Sequence, residues 1–200
     1  MAKVLWVQNL WIEFMGIMNI SALLKQHGHE SEIFFGMKEE AVEFIREDNP
    51  DIIAFSCMSV QWKWAQEMSA YIKKSGIKTP IIVGGIHTTM YAEESIQYPF
   101  IDGICLNEGE IPMLELMDRL EQGIDYIDIQ NFWFRRDGEI VRNPTRPKML
   151  AAELDVLPFA DRELYKRYDY FKNYPFEIFV GSRGCPFTCS FCEVPKINDM

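Results

Sequence analysis

Residues 51–56 read DIIAFS. Four apolar side chains in a row, Ile52 to Phe55, lack the in–out alternation of a strand with one wet face, so both faces of this strand must be covered. PIIVGG at 80–85 repeats the pattern. Outward from DIIAFS the chain alternates. Ahead of it stand KVLWV (3–7), GIMNISALLKQHG (16–28), ESEIFF (30–35) and KEEAVEFIREDN (38–49), a βαβα order leading into the third strand. Behind it come QWKWAQEMSAYIKKSG (61–76), TPIIVGG (79–85), a short helical stretch at AEESIQ (92–97), IDGICLN (101–107) and EIPMLELMDRLEQG (110–123). In the first helix Ile17, Ile20, Leu24 and His27 fall on one stripe, and Gly28 stands where a left-handed cap would end it. The expectation is an α/β fold with a doubly wound, five-stranded parallel sheet in flavodoxin-like order.

After Gly123 the grammar changes. NFWFRRDGEIVRN (131–143) reads as two strands joined at Asp137-Gly138, and prolines 144, 147 and 158 mark a linker across the surface. FADRELYKRYDYF (159–171) reads as a short helix, and FEIFVGSRG (176–184) as a new strand ending in a glycine-bracketed turn. The boundaries expected are 1–125 for the first domain, 126–174 for hairpin and linker, and 175–200 for the start of a second domain.

Composition narrows the classes of function. The 200 residues are 48% hydrophobic and 25% charged, with a net charge of −10. Nucleic-acid binding without a basic face would lack its main electrostatic term, so nucleic acid is not expected as a partner. The apolar start is broken by Gln8, Asn9 and Glu13 and has no cleavage site, which predicts a cytoplasmic protein with no membrane span. Five cysteines, three of them crowded at one end, suit a reducing compartment and a metal or redox role better than a disulfide framework.

Those three are Cys185, Cys189 and Cys192 in GSRGCPFTCSFC (181–192). A structural zinc site wants four ligands, and the last 90 or so residues offer neither a histidine nor a fourth cysteine. An iron–sulfur cube, with several irons, can be wrapped by so short a loop, and three thiolates leave one iron open. Arg183 reads as a solvated arginine rather than a partner of such a site. For a parallel sheet the ligand crevice lies outside the carboxyl ends of the strands, which selects the loops QNLWIEFMG (8–16), SCMSVQW (56–62), GGIHTT (84–89) and NEGE (107–110). From these loops Gly16, Ser56, Ser59, Gly84, Gly85, His87, Glu108 and Gly109 are candidate ligand contacts; local capping, turn formation and the helix dipole explain the same residue types equally well. Met15, Met18 and Met58 either line an apolar crevice or fill the core, and Cys57 and Cys105 read as small buried hydrophobes.

The cysteine loop resembles that of the radical S-adenosylmethionine (SAM) superfamily, C-x-x-x-C-x-aromatic-C, matched by Cys185, Cys189, Phe191 and Cys192. The resemblance implies a 4Fe–4S cluster whose open iron takes SAM, one-electron cleavage to a 5′-deoxyadenosyl radical, and Phe191 against the adenine. Read together, GIMNISALLKQHGHESEIFF, PDIIAFSCMSV, PIIVGGIHTTMYAEESI and IDGICLNEGEIPMLELMDRLEQG look like the cobalamin-binding domain that precedes many radical SAM enzymes, and LDVLPFADRELY is similar to their linker. That resemblance covers nearly the whole chain. It implies cobalamin as a cofactor, with His87 near its nucleotide tail. The wider cobalamin-domain pattern places a ligating histidine in the loop after the first strand, whereas QNLWIEFMG has none, and His27 and His29 belong to the opposite edge of the sheet. Cobalamin is therefore expected to bind without a histidine axial ligand.

Taken together, the two resemblances imply a cobalamin-dependent radical SAM methyltransferase acting through methylcobalamin on an inert carbon of a small-molecule or peptide substrate, with a flavodoxin- or ferredoxin-type electron donor. A TIM-type barrel of that superfamily needs on the order of 200 further residues. With eight residues after Cys192, the expectation is an N-terminal fragment that cannot catalyse alone. Rival readings are a cobalamin-dependent cyclase or rearrangement enzyme, a methylthiotransferase, and a non-catalytic flavodoxin-like binding module. A methylthiotransferase would want three further cysteines, and only Cys57 and Cys105 are available.

Overall fold

A computed structural model describes residues 1–199, apart from the side chains of Lys196, Asn198 and Asp199. The parallel strands are β1 (Lys3–Gln8), β2 (Glu30–Phe35), β3 (Ile52–Ser56), β4 (Ile81–Gly84) and β5 (Gly103–Cys105). They are followed by the antiparallel strands β6 (Phe132–Arg136) and β7 (Glu139–Arg142), and the sheet order is β2-β1-β3-β4-β5-β6-β7. The first five strands thus have the expected flavodoxin-like order, with the topological switch between β1 and β3.

Helices α1 (Met15–Gln26), α2 (Lys38–Asp48), α3 (Trp62–Lys74), α4 (Ile86–Met90), α5 (Ala92–Gln97) and α6 (Glu110–Gln122) connect the parallel strands and cover the sheet. Each strand serves both layers by alternation. Val4, Trp6, Ile52 and Ala54 join Ile17, Leu24, Met113 and Met117 on one face, while Leu5, Val7, Ile53 and Phe55 join Val42, Ile45, Met68 and Ile72 on the other. All four apolar residues of β3 are at most 1% exposed, so each contributes about 1.5–3 kcal/mol of burial, less for Ala54. The unalternated run is the signature of this double covering. Gly28, at φ +84°, closes α1 as expected, and His27 beside it faces solvent.

Two segments differ from the sequence reading. The hairpin expected beyond a five-stranded sheet instead extends that sheet to seven strands: Gly103, Ile104 and Cys105 pair with Phe134, Trp133 and Phe132. An uncovered β5 would leave a row of backbone groups unpaired, and Phe132 and Phe134 supply the apolar face that fits beside it. Asp137 and Gly138 turn the hairpin with φ of 53° and 85°, the type I′ combination. The segment read as a surface linker is also partly core. It forms α7 (Ala151–Leu154), α8 (Glu163–Lys166) and α9 (Asp169–Lys172), and it buries Leu164, Tyr165 and Phe171 against the α1–α6 face. The run 176–180, read as a strand, has no ladder partner among the described residues. A strand forms only where a neighbour takes its N–H and C=O groups. Among the described residues no helix is long and apolar enough to cross a membrane.

Candidate functional site

The loop after β1 is shaped by two buried polar side chains. Gln8, 1% exposed, donates from Nε2 to Leu10 O and Ile12 O and accepts at Oε1 from the Tyr165 hydroxyl at 2.8 Å. The same hydroxyl accepts the Phe14 N–H at 3.1 Å. Burial pushes the Tyr165 phenol far above its usual pKa, so it remains a neutral donor.

The loops after β3 and β4 are laced together. Cys57 N–H donates to Gly84 O at 2.8 Å, and His87 N–H donates to Cys57 O at 3.1 Å. Gly85 has φ +98°, and a Cβ there would stand 2.7 Å from both Cys57 N and Cys57 O. The backbone demands glycine at 85 whatever binds beside it. Gly84 differs, because its Cβ would meet its neighbours at ordinary distances, the nearest being Cys105 Cβ at 3.5 Å. From α4, Thr88 Oγ1 donates to Cys105 O at 3.0 Å and Thr89 Oγ1 accepts the Asn107 N–H at 2.9 Å. Asn107 takes φ +57°, and its Oδ1 is buried with no partner among the described residues.

A crevice of about 290 Å³ opens among these loops at the carboxyl edge of the sheet. Six of the eight residues expected to touch a ligand line it, namely Gly16, Ser56, Gly84, Gly85, Glu108 and Gly109. Its apolar walls include Trp6, Ile17, Ile20, Ile82 and Met113. Met15 lines it too, while Met18 is core and Met58 faces solvent. Gly109 also serves packing: a Cβ would come 2.9 Å from Ile20 Cδ1, where α1 and α6 approach.

Ser59 and His87 stand apart from the crevice and pair with each other, Ser59 Oγ lying 3.1 Å from His87 Nδ1. His87 is buried and stacks on Trp62 at 4.5 Å between centroids. Its Nε2 has no partner among the described residues. Burial lowers its pKa, and the charge of Glu94 opposes that shift more weakly. The ring is therefore neutral at pH 7.

Sequence reasoning missed Asn107 and Arg183. Asparagine is the non-glycine residue most at ease at positive φ, a usable signal at 107. Arg183 is exposed, as expected, yet it also lines the crevice and pairs with Glu108 and Glu110. No sequence signal marks an ion pair between residues 73 and 75 positions apart.

The cysteine loop follows in the open. Cys185 is half-buried, Cys189 and Cys192 are exposed, and Cys192 N–H donates to Cys189 O at 3.1 Å. Phe191 is exposed as well. Three thiols within eight residues, behind Gly184 at φ +79°, form a donor set suited to a cluster of several irons. Cys57 and Cys105 are different chemically, since burial raises both thiols to about 12, with the Glu110 charge adding to the effect at Cys105.

The fold and crevice define a doubly wound domain that takes a ligand at its switch point. A family model described as the B12 binding domain matches residues 12–117, more than half of the chain. The chain belongs to this B12-binding domain family. Among curated proteins it is 26% identical over 186 residues to an uncharacterized methyltransferase of Pyrococcus horikoshii, covering 90% of this chain and 40% of that protein. It is 29% identical over 196 residues to an anaerobic magnesium-protoporphyrin IX monomethyl ester cyclase of Rubrivivax gelatinosus, covering 92% and 34%. Among solved structures, the radical SAM methyltransferase TsrM of Kitasatospora setae, with cobalamin and a [4Fe-4S] cluster bound, shares the fold at a TM-score of 0.65 and 18% identity, over 75% of this chain and 30% of that one. The chain thus spans about 40% or less of the length of these relatives.

Proposed function

We propose that this chain holds cobalamin at the carboxyl edge of its sheet, without a histidine on cobalt, next to a loop in which Cys185, Cys189 and Cys192 hold a 4Fe–4S cluster and its SAM. The whole protein then transfers a methyl group to an unactivated carbon. One observation carries the reading: loops from four strands converge on an apolar crevice with an orphaned acceptor, Asn107 Oδ1, and the C-x₃-C-x₂-C loop lies beyond its rim.

The residues suit the cofactor. At about 290 Å³ the crevice admits a side arm of so large a molecule, not its macrocycle. Gly16 has nothing within 4 Å of where a Cβ would lie, so a side arm can approach the backbone there. Asn107 Oδ1 would accept a hydrogen bond from it, and Ser56 would supply a hydroxyl. Of the histidines, His29 lies at the amino edge with both ring nitrogens engaged, and His87 is held between Ser59 and Trp62. Cobalamin would supply a carbon–cobalt bond that can be made and broken. The chain's own part is to seat that group, exclude water with Ile17, Ile20 and Met113, and present the cysteine loop.

A cyclase on the same cofactors is the second reading, favoured by the 29% identity to the Rubrivivax gelatinosus cyclase. A methylthiotransferase is disfavoured because Cys57 and Cys105, buried with raised thiol pKa, are poor ligands for a further cluster. Electron paramagnetic resonance of the chain loaded with cob(II)alamin tests the seat. The expected spectrum shows no nitrogen splitting that changes when the histidines carry nitrogen-15, and one that does change overturns the axial assignment. Iron and sulfide bound after anaerobic reconstitution, and lost in Cys189→Ala, test the cluster; zinc in their place refutes it.

A further inference from the structure

The cysteine segment sends one cation into the crevice. Arg183 Nη1 lies 3.1 Å from Glu108 Oε1, and Nη2 donates to Glu110 Oε1. Glu110 is buried at the start of α6, only 3% exposed, and the Arg183 side chain is 31% exposed. Val180 and Arg183 share the crevice wall with Glu108, Gly109 and Glu110. Glu108 is itself fixed from a third direction, because its Oε2 accepts the Met149 N–H at 2.8 Å.

We propose that Arg183 is the positioning residue that registers the cysteine loop against the cobalamin crevice, with Glu108 and Glu110 as its anchors. The inference rests on the reading of crevice and loop as neighbouring cofactor seats. A guanidinium is planar and rigid, so hydrogen bonds to two separate carboxylates fix its orientation as well as its place. Two residues of chain span at most about 7 Å. Cys185, two residues on, is thereby held close to the mouth of the crevice, and Gly184 makes the turn between them. Arg183 also sets the local charge. Without it two carboxylates would face one crevice, Glu110 would be buried without its cation, and the phosphodiester of the cobalamin nucleotide arm would meet only negative charge.

Trypsin reads the anchoring directly, since it cleaves the Arg183–Gly184 bond only after the guanidinium leaves the glutamates. In the cofactor-free chain, Glu108→Gln and Glu110→Gln should each speed that cleavage about tenfold relative to the Lys172–Asn173 bond of the same molecule. The thermal midpoint of each variant, measured alongside, separates a released arginine from a loosened fold. In absorbance titrations with hydroxocobalamin, Arg183→Ala should bind about tenfold more weakly, with Arg183→Lys restoring part of the loss through its charge. Hydroxocobalamin should further protect the Arg183–Gly184 bond in the unsubstituted chain. A cleavage ratio unchanged in both glutamine variants, or one that rises on adding cobalamin, overturns the proposal. If the unsubstituted chain takes up no cobalamin, the cofactor reading falls, and the cleavage ratio still decides the anchoring by itself.

Discussion

The two ends of the same parallel strands are built on opposite rules. At the amino edge the protein itself pairs most polar groups, although the second carboxylate oxygen of Asp48 is left without a partner among the described residues. His29 Nδ1 accepts the Ala2 N–H at 3.3 Å, so Nε2 carries the proton and donates to Asp118 at 2.9 Å. The terminal amine pairs with Glu121, and Lys3 reaches Asp48. His29, Asp118 and Glu121 gather closely enough to hold an ion, but the imidazole lone pair is already spent on Ala2. At the carboxyl edge the chain leaves an acceptor orphaned at Asn107, two glycines side by side and a crevice. One edge is mostly self-paired and stabilises; the other sets its orphaned acceptor beside a crevice and is open to a ligand.

Substitutions should separate the edges, and the largest effect belongs to Gly85. Gly85→Ala forces a side chain into positive φ and against Cys57, and should cost about 3 kcal/mol in a denaturant titration. At the amino edge His29→Ala should cost about 2 kcal/mol by stranding the Ala2 N–H and opening a void, while cobalamin affinity stays unchanged. Equal losses of affinity from both edges would erase the distinction. Asn107→Gly keeps the positive φ without strain, so stability should hold within about 0.5 kcal/mol while hydroxocobalamin binds about fivefold more weakly.

The smallest effect is one of pH. His87 has a folded pKa depressed by burial, so the unfolded chain takes up a proton first as pH falls below about 6.5. Its contribution to stability is complete above that pH and declines as acidity approaches the folded value. Thermal midpoints at pH 7 and pH 5 should therefore differ less in His87→Gln than in the unsubstituted chain.

The parallel sheet was legible because its evidence is local: Ile52–Phe55 state their double burial within four residues, and Gly28 states its cap. Six crevice residues were legible because topology alone assigns a ligand to the carboxyl edge. What escaped depends on distant partners. Phe132 and Phe134 announce a strand, but not that β5 is the edge they complete. Tyr165 sits among prolines and charges with no periodicity to mark it as core. Asn107 signals its positive φ by residue type, but its orphaned oxygen shows only in the fold, and the Arg183 pairs only once α6 is placed beside it.

The Tyr165 hydroxyl has a consequence for biogenesis. Gln8 leaves the ribosome 157 residues before the phenol that fixes it, an interval of roughly 8 to 30 seconds at common rates of translation. The parallel strands can assemble in that time, yet the segment after β1 stays unset until the tyrosine docks. A nascent chain would thus acquire its scaffold first and its binding edge last, and a shortened gene ending near codon 125 would yield the former without the latter.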